Sequence, residues 1–414
     1  MSDDATVVPV DPETTPDALI ERFGRDLVND FDLDDPAFNE KFDETLNFMV
    51  RKCPVVHSKV GRGYYLINTQ DDVRAAAQNW QTFSSAKGYM PNRPEGLPYL
   101  MPEESDPPIH TRWRAKLNPH LSPKTVATYE QAVRDDVNEL IDRFIDRGEL
   151  RIHLRIRRTA AGLGVFFKNV LGLPIDDLAM LVNGVEEGTF HPDLSERARH
   201  FAEVFGYLEN HLKWRATQPS RGDLIDTILA GVTYDDGTES PWEHKVSILV
   251  DLTFGGIATT TFVMGSAIHH LATHSDQREL LIGDPSLIEN AIEEYARFFP
   301  PVVGLGRTTT RDVEVSGTTI KEGEFVILTY ACASRDPRHM EEPEKIDVRR
   351  EGIPHSTFGV GPHRCIGSNL ARVELTATLE EWLKRIPEFR VKAGTEPTYV
   401  TGYLRSMRTL QLEW

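Results

Sequence analysis

Cysteine is scarce in this chain. Cys53, Cys332 and Cys365 are its only three, and they lie far apart. An odd number at such spacing argues against a disulfide framework and against a cysteine-rich zinc site. Positive charge is also in short supply, with 46 Lys and Arg against 64 Asp and Glu and a formal net charge of -18. That balance disfavours general attraction to nucleic acid or to an anionic membrane and leaves only local basic patches for partners. The first residues, Met1-Ser2-Asp3-Asp4-Ala5, lack the basic segment of a secretory leader. No apolar run is expected to approach the ~20 residues of a membrane span. A cytoplasmic protein with reduced thiols follows. No repeat, low-complexity block or flexible linker divides the 414 residues. A single domain over 1–414 is expected, with residues 1–43 as an acidic, proline-punctuated arm packed on it.

What the chain does have is one cysteine in a glycine-rich loop that runs into an amphipathic helix: Phe358-Gly359-Val360-Gly361-Pro362-His363-Arg364-Cys365-Ile366-Gly367. A thiolate is a strong ligand where backbone N–H groups of a turn and a helix N-terminus offset its charge. Cys365 is therefore placed to hold a metal. Gly359 and Gly361 allow a tight turn, and Gly367 offers no side chain to obstruct a flat ligand, so a large planar cofactor fits. A phosphate loop would need Gly-Lys-Ser/Thr, and a dinucleotide fingerprint would need glycine where Arg364 stands. A cysteine nucleophile would need a histidine base, and His363 is two positions away, pointing elsewhere. A buried free cysteine would leave the surrounding glycines and Phe358 unexplained.

Periodicity places a β-hairpin at Pro54 to Asn68 around Gly61-Arg62-Gly63 and a long loop from Ser84 to Pro108. Helices are expected at Ala18 to Leu27, Asp71 to Asn79, Arg158 to Leu171, Ile175 to Glu187, Leu194 to Thr217, Ile288 to Phe299 and Gly367 to Ile386. The longest opens at Pro241 and runs to about His274. Its middle holds Gly255-Gly256, each costing ~1 kcal/mol relative to alanine in a helix interior. Close packing there, and a local opening of the hydrogen-bond ladder helped by Thr259, are expected. His270 and His274 have metal-compatible spacing but no third ligand, and read as surface residues at a helix end. Short hairpins follow at Val313 to Ile327.

The Phe-Gly-x-Gly-x-His-x-Cys-x-Gly pattern at 358–367 resembles the haem-thiolate signature of the cytochromes P450. Further motifs in the same order extend the likeness over nearly the whole chain, closest to soluble bacterial members of the camphor-hydroxylase type. The resemblance implies a mainly α P450 fold with a small β-sheet region and haem b, with Cys365 as axial ligand of the iron and Phe358, Gly359 and Gly367 around it. His110, Arg114, Arg307 and His363 are then the residues for the haem propionates. Gly255, Gly256, Ala258 and Thr259 stand in the oxygen-binding element, Gly-Gly-x-Asp/Glu-Thr-Thr. Ala258 departs from the family, because it occupies the place of the usual acid of the proton relay. Asp251, two turns earlier, could take part only through waters. Glu294 and Arg297 resemble the structural Glu-x-x-Arg pair.

The resemblance also implies a monooxygenase that hydroxylates a small apolar substrate, a terpenoid or an aromatic, with O2. Its pocket would be built from Tyr89, Tyr99, Leu100, Phe254, Ile257, Val302, Val303 and Leu404. Electrons are expected from an iron-sulfur ferredoxin and an NAD(P)H-dependent ferredoxin reductase, docking on Arg112, Lys116, Arg364 and Arg372 of a monomer. Two rivals are a peroxide-driven peroxygenase, motivated by Ala258, and a non-catalytic haem-binding or sensor protein. Against the first, residues 252–265 hold no arginine for a fatty-acid carboxylate. Thr259 and the long loop argue against the second.

Overall fold

The computed structural model describes residues 31–153 and 163–414. The helix expected at Ala18 to Leu27, most of the acidic arm and the first part of the helix expected from Arg158 lie outside these residues. Helices dominate the described chain, and its strands gather into small sheets. Two compact units are distinguishable. One holds Met1–Asn92, Glu293–Arg364 and Thr401–Arg405; the other holds Arg93–Ile292, Cys365–Val400 and Ser406–Trp414.

The helices that matter for the site are α1 (Gln70–Gln78), α2 (Ile109–Leu117), α3 (Leu178–Phe190), α4 (Leu194–Ala216), α5 (Trp242–Thr273), α6 (Ile288–Phe298) and α7 (Ser368–Arg385). In the first unit, β1 (Val55–Ser58), β2 (Tyr64–Ile67), β3 (Phe83–Ser84), β4 (Leu305–Thr309) and β7 (Phe325–Leu328) form one sheet in the order β1-β2-β7-β4-β3, while β5 (Val313–Val315) and β6 (Thr318–Ile320) pair separately. The expected hairpin is β1 against β2, with Val55 opposite Ile67 and Ser58 opposite Tyr64. β7 runs parallel to β2, placing Ile327 beside Leu66, and antiparallel to β4, placing it beside Gly306. Helix α1 starts at an N-cap threonine, Thr69, whose Oγ1 accepts from the Asp72 amide at 3.2 Å. It packs Val73, Ala76 and Ala77 onto Ile67, Phe83, Val326 and Leu328, which anchors the helix on the sheet.

In the second unit α5 is the axis. It covers 32 residues after the N-cap Pro241 and stops before His274, as expected from the sequence. Apolar residues occupy all its sides, from Ile248 and Leu249 through Leu252 and Ile257 to Ala267 and Leu271, as suits a buried helix. Contrary to the expectation of no such run, this helix is long and apolar enough to cross a membrane, with an 18-residue window of mean hydropathy 1.6. Glycine and threonine interrupt the run without making it polar, which hid it. That window is 61% buried within the protein, as in a core helix. α4 packs on both α3 and α5, and α7 packs on α5. The ring of Phe201 on α4 stacks on Phe254 of α5 at 5.1 Å.

Gly255 and Gly256 do not open α5. The helix is continuous, and the Thr259 Oγ1 donates to the Gly255 carbonyl at 2.7 Å without breaking the ladder. Gly256 has a packing reason, because a Cβ there would overlap the ring of buried Phe166. On α7, Leu370, Leu375, Leu379, Trp382 and Leu383 are buried as a helical stripe. Val373 is only partly buried, and Glu374 takes a core position beside it.

Candidate active site

The glycine-rich loop is built from below by α1. Gly361 has φ 73°, and a Cβ there would lie 2.6 Å from the Ala77 carbonyl oxygen. Both facts demand glycine. The turn Gly361–His363 then buries His363, whose Nε2 lies 3.2 Å from the Ser85 Oγ. Cys365 follows and is exposed, whereas Cys53 and Cys332 are buried. Burial pushes the Cys332 thiol far up, so it stays protonated, with Arg335 opposing only in part. Of the three sulfurs, only that of Cys365 is offered to a ligand. α7 begins three residues later, and a Cβ on Gly367 would meet nothing within 4 Å except the Cys365 Sγ at 3.9 Å.

In the same unit, Gly255 is exposed in the middle of the buried α5, and a Cβ added to it would meet no atom within 4 Å. Thr259 lies one turn further along. An offered thiol at a helix N-terminus, a flat glycine beside it and an open gap on a buried helix fit a planar, thiolate-held group. On α2, His110 is buried and Arg114 stands one turn on, its Nε donating to the Asn118 Oδ1 at 3.0 Å. Arg307 is buried in the first unit, its Nη1 on the Gly306 carbonyl at 2.7 Å. Such Arg and His donors suit carboxylates.

Ala258 is buried and brings no carboxylate to the relay position. Two acids elsewhere in this unit are unusual. Burial, reinforced by Glu103 and Glu104 and opposed by Arg114, pushes Asp251 well above the usual carboxylate range. Burial alone does the same to Glu374, whose Oε1 is enclosed with no hydrogen-bond partner. Sequence reasoning missed Glu374. Its signal was an acid in register with the apolar stripe of α7.

The pocket residues divide. Phe254, Val302 and Leu404 keep part of their surface open, the last two paired across a β-bridge. Tyr89 is nearly enclosed, its ring 6.0 Å from Tyr403. Leu100, Val303 and Ile257 are at most 2% exposed, so little of their surface is open. Tyr99, by contrast, is 49% exposed, with the Arg93 guanidinium 4.6 Å from its ring centre.

Glu294 and Arg297 are fully buried and joined by two charge-assisted hydrogen bonds of 2.7 and 2.8 Å. Arg297 also donates to the Pro343 and Lys345 carbonyls at 2.7 and 2.9 Å, and Arg350 reaches Glu294 at 3.1 Å. Lys116 and Arg364 are exposed, and Arg372 is partly so. Arg112 is ion-paired with Asp235, so its charge is already answered. His270 departs from its expected surface position. It is buried, its ring stacked 4.2 Å from His274, and burial followed by the charges of His274 and His269 lowers its pKa to about 3.

Comparison with known proteins places this geometry. The Cytochrome P450 family profile matches residues 190–401. Cytochrome P450 130 of Mycobacterium tuberculosis (strain ATCC 25618 / H37Rv) is 33% identical over 348 residues, 79% of this chain and 83% of its own. The vitamin D(3) 25-hydroxylase of Pseudonocardia autotrophica is 29% identical over 362 residues, 84% and 88% of the two chains. The crystal structure of CYP101J2 superposes with a TM-score of 0.77 at 29% identity, covering 90% of this chain and 93% of that one. A family that binds haem b through a cysteine thiolate accounts for the exposed sulfur, the glycine gap and the buried helix together, and the chain belongs to it: it is a cytochrome P450, a haem monooxygenase of the bacterial type.

Proposed function

We propose that Cys365 is the thiolate ligand of the haem iron, that Thr259 serves proton delivery, and that the substrate is a small apolar terpenoid or aromatic. Electrons come from an iron-sulfur ferredoxin and its NAD(P)H-dependent reductase. The observation that carries this reading is the exposed Cys365 at the start of α7, where helix N–H groups favour a thiolate. Haem held in this way supplies reductive activation of O2, so that one oxygen atom enters a C–H bond and the other leaves as water.

The chain's own residues do the rest. His110, Arg114, Arg307 and His363 are the candidates for the propionates. The Thr259 hydroxyl places its proton on the Gly255 carbonyl, so its oxygen lone pairs accept from water on the open side of α5. Glu374 is a second store of protons on the neighbouring α7, held neutral by burial. Phe254, Val302 and Leu404 provide apolar surface, and the vitamin D(3) hydroxylase among the relatives supports an apolar substrate. Exposed Lys116 and Arg364 support an acidic partner. The buried Ala258 favours a second reading, use of hydrogen peroxide in place of O2 and electrons, and turnover with peroxide exceeding that with NADH and ferredoxin would establish it.

Cys365→Ser is expected to abolish the thiolate signature in the absorption spectrum of the reduced, carbon-monoxide-bound protein, and with it product formation. An unaltered spectrum would remove Cys365 as ligand. Titration of the ferric protein with terpenoids, small aromatics and fatty acids, read at the Soret band, identifies the substrate class as the one that shifts it.

A further inference from the structure

Ser247, Asp251, Gly255 and Thr259 follow one another in four-residue steps along α5, each about one turn on and about 40° around from the last. Ser247 fastens the loop that precedes α2. Its Oγ accepts from the Met101 amide at 2.7 Å and donates to the Tyr99 carbonyl at 2.6 Å. The loop therefore crosses α5 one turn before Asp251. Gly255, open on its Cβ side, lies one turn after it. Asp251 forms the wall between the strap and the gap.

Among the described residues no hydrogen bond and no ion pair reaches the Asp251 carboxylate. Its neighbours share its sign, since Glu103 and Glu104 face it and only Arg114 opposes them. Glu104 is satisfied already, with its Oε1 2.5 Å from Arg93 Nη1 and its Oε2 accepting from the Leu100 amide at 2.6 Å. A partly buried carboxylate with an open edge and like-charged neighbours lacks a cation, and one that arrived would be attracted more strongly than in open water. No group of three or more His, Cys, Asp and Glu among the described residues is arranged for a metal ion. A single carboxylate without such a set suits an organic cation, and the partly open ring of Phe254, three residues on along α5, suits an apolar body.

We propose that Asp251 is the specificity-determining residue of this monooxygenase, its carboxylate anchoring a cationic nitrogen on an otherwise apolar substrate. The proposal rests on the apolar-pocket reading above and narrows it. Asp251 and Thr259 are eight residues apart, roughly 12 Å along the helix axis.

The test uses benzyltrimethylammonium, whose fixed charge has no lone pair for iron, and neopentylbenzene, its uncharged isostere. Both are titrated into haem-loaded ferric wild type, Asp251→Asn and Asp251→Glu, with the Soret shift and the melting temperature as readouts. Asp251→Asn is expected to weaken the ammonium ~10-fold or more and to leave neopentylbenzene within about twofold. Asp251→Glu is expected to keep most of the ammonium affinity. Equal weakening of both probes, or ammonium binding untouched by Asp251→Asn, overturns the anchor while the apolar pocket stands. Binding of the ammonium alone, lost in Asp251→Asn, upholds the anchor and overturns the apolar-pocket reading instead.

Discussion

Two regions of the molecule dispose of charge in opposite ways. On α6, Glu294 and Arg297 answer each other bidentately, and Arg350 and two backbone carbonyls satisfy what remains. In the other unit, Asp251 and Glu374 meet no cation at bonding distance, and burial pushes both carboxyls well above their usual range. Matched charges fix geometry, because moving either partner leaves the other stranded. Unmatched acids hold protons, and are free to release them when a cation or a water chain arrives. The first arrangement builds a scaffold and the second suits chemistry.

Arg297→Leu breaks the matched side and has the largest expected effect on stability, a loss of about 3–5 kcal/mol in equilibrium denaturation, since it leaves Glu294 as an underpaired buried charge. A loss below about 1 kcal/mol would show that Arg350 alone suffices and that the pair is less tightly coupled than its geometry implies. Glu374→Gln probes the unmatched side. Because the carboxyl is held above its unfolded pKa of 4.5, the folded wild type keeps a proton that the unfolded chain gives up. Wild-type stability therefore declines as pH rises above about 4.5, until the folded pKa is passed. The variant lacks that decline, so it is close to wild type in acid and the more stable of the two at neutral pH. Parallel curves of unfolding free energy against pH would sink this account. Ala258→Asp sharpens the contrast by adding an acid where α5 has none. Hydrogen peroxide released per NADH consumed is expected to fall only a few-fold, well below the ~100-fold of a general acid acting on a rate-limiting transfer. An unchanged yield and an unchanged solvent isotope effect would mean that another route, with Glu374 the first candidate, already delivers protons.

The parts of this molecule that were legible in sequence are those whose signal is local. Pro241 and His274 bracket α5 because a cap and a break are written at its ends. The β1–β2 hairpin follows from alternation around a glycine turn, and the cysteine loop from its own glycines. The pair Glu294 and Arg297 was legible as a motif, but its two carbonyl partners, Pro343 and Lys345, were not. What escaped depends on distant chain. Nothing near Asp251 in sequence says that Glu103 and Glu104 come to face it, and nothing around Tyr99 says that Arg93 lies over its ring. Beyond its register on α7, nothing around position 374 says that its acid is enclosed. His270 reads as exposed because a helix end is usually at the surface, whereas here it is covered.

The ring of Phe166, lodged where Gly256 has no side chain, works on α5 as a pawl works on a ratchet. A helix with a smooth apolar surface can rotate a few degrees or creep along its axis at little expense, and each such slip would swing residues one and two turns away out of line. With a ring seated in the notch, either movement must first lift the pawl. Asp251 on one side of the notch and Thr259 on the other thus keep a common bearing, and the span between anchor and hydroxyl becomes a fixed ruler against which substrates are measured.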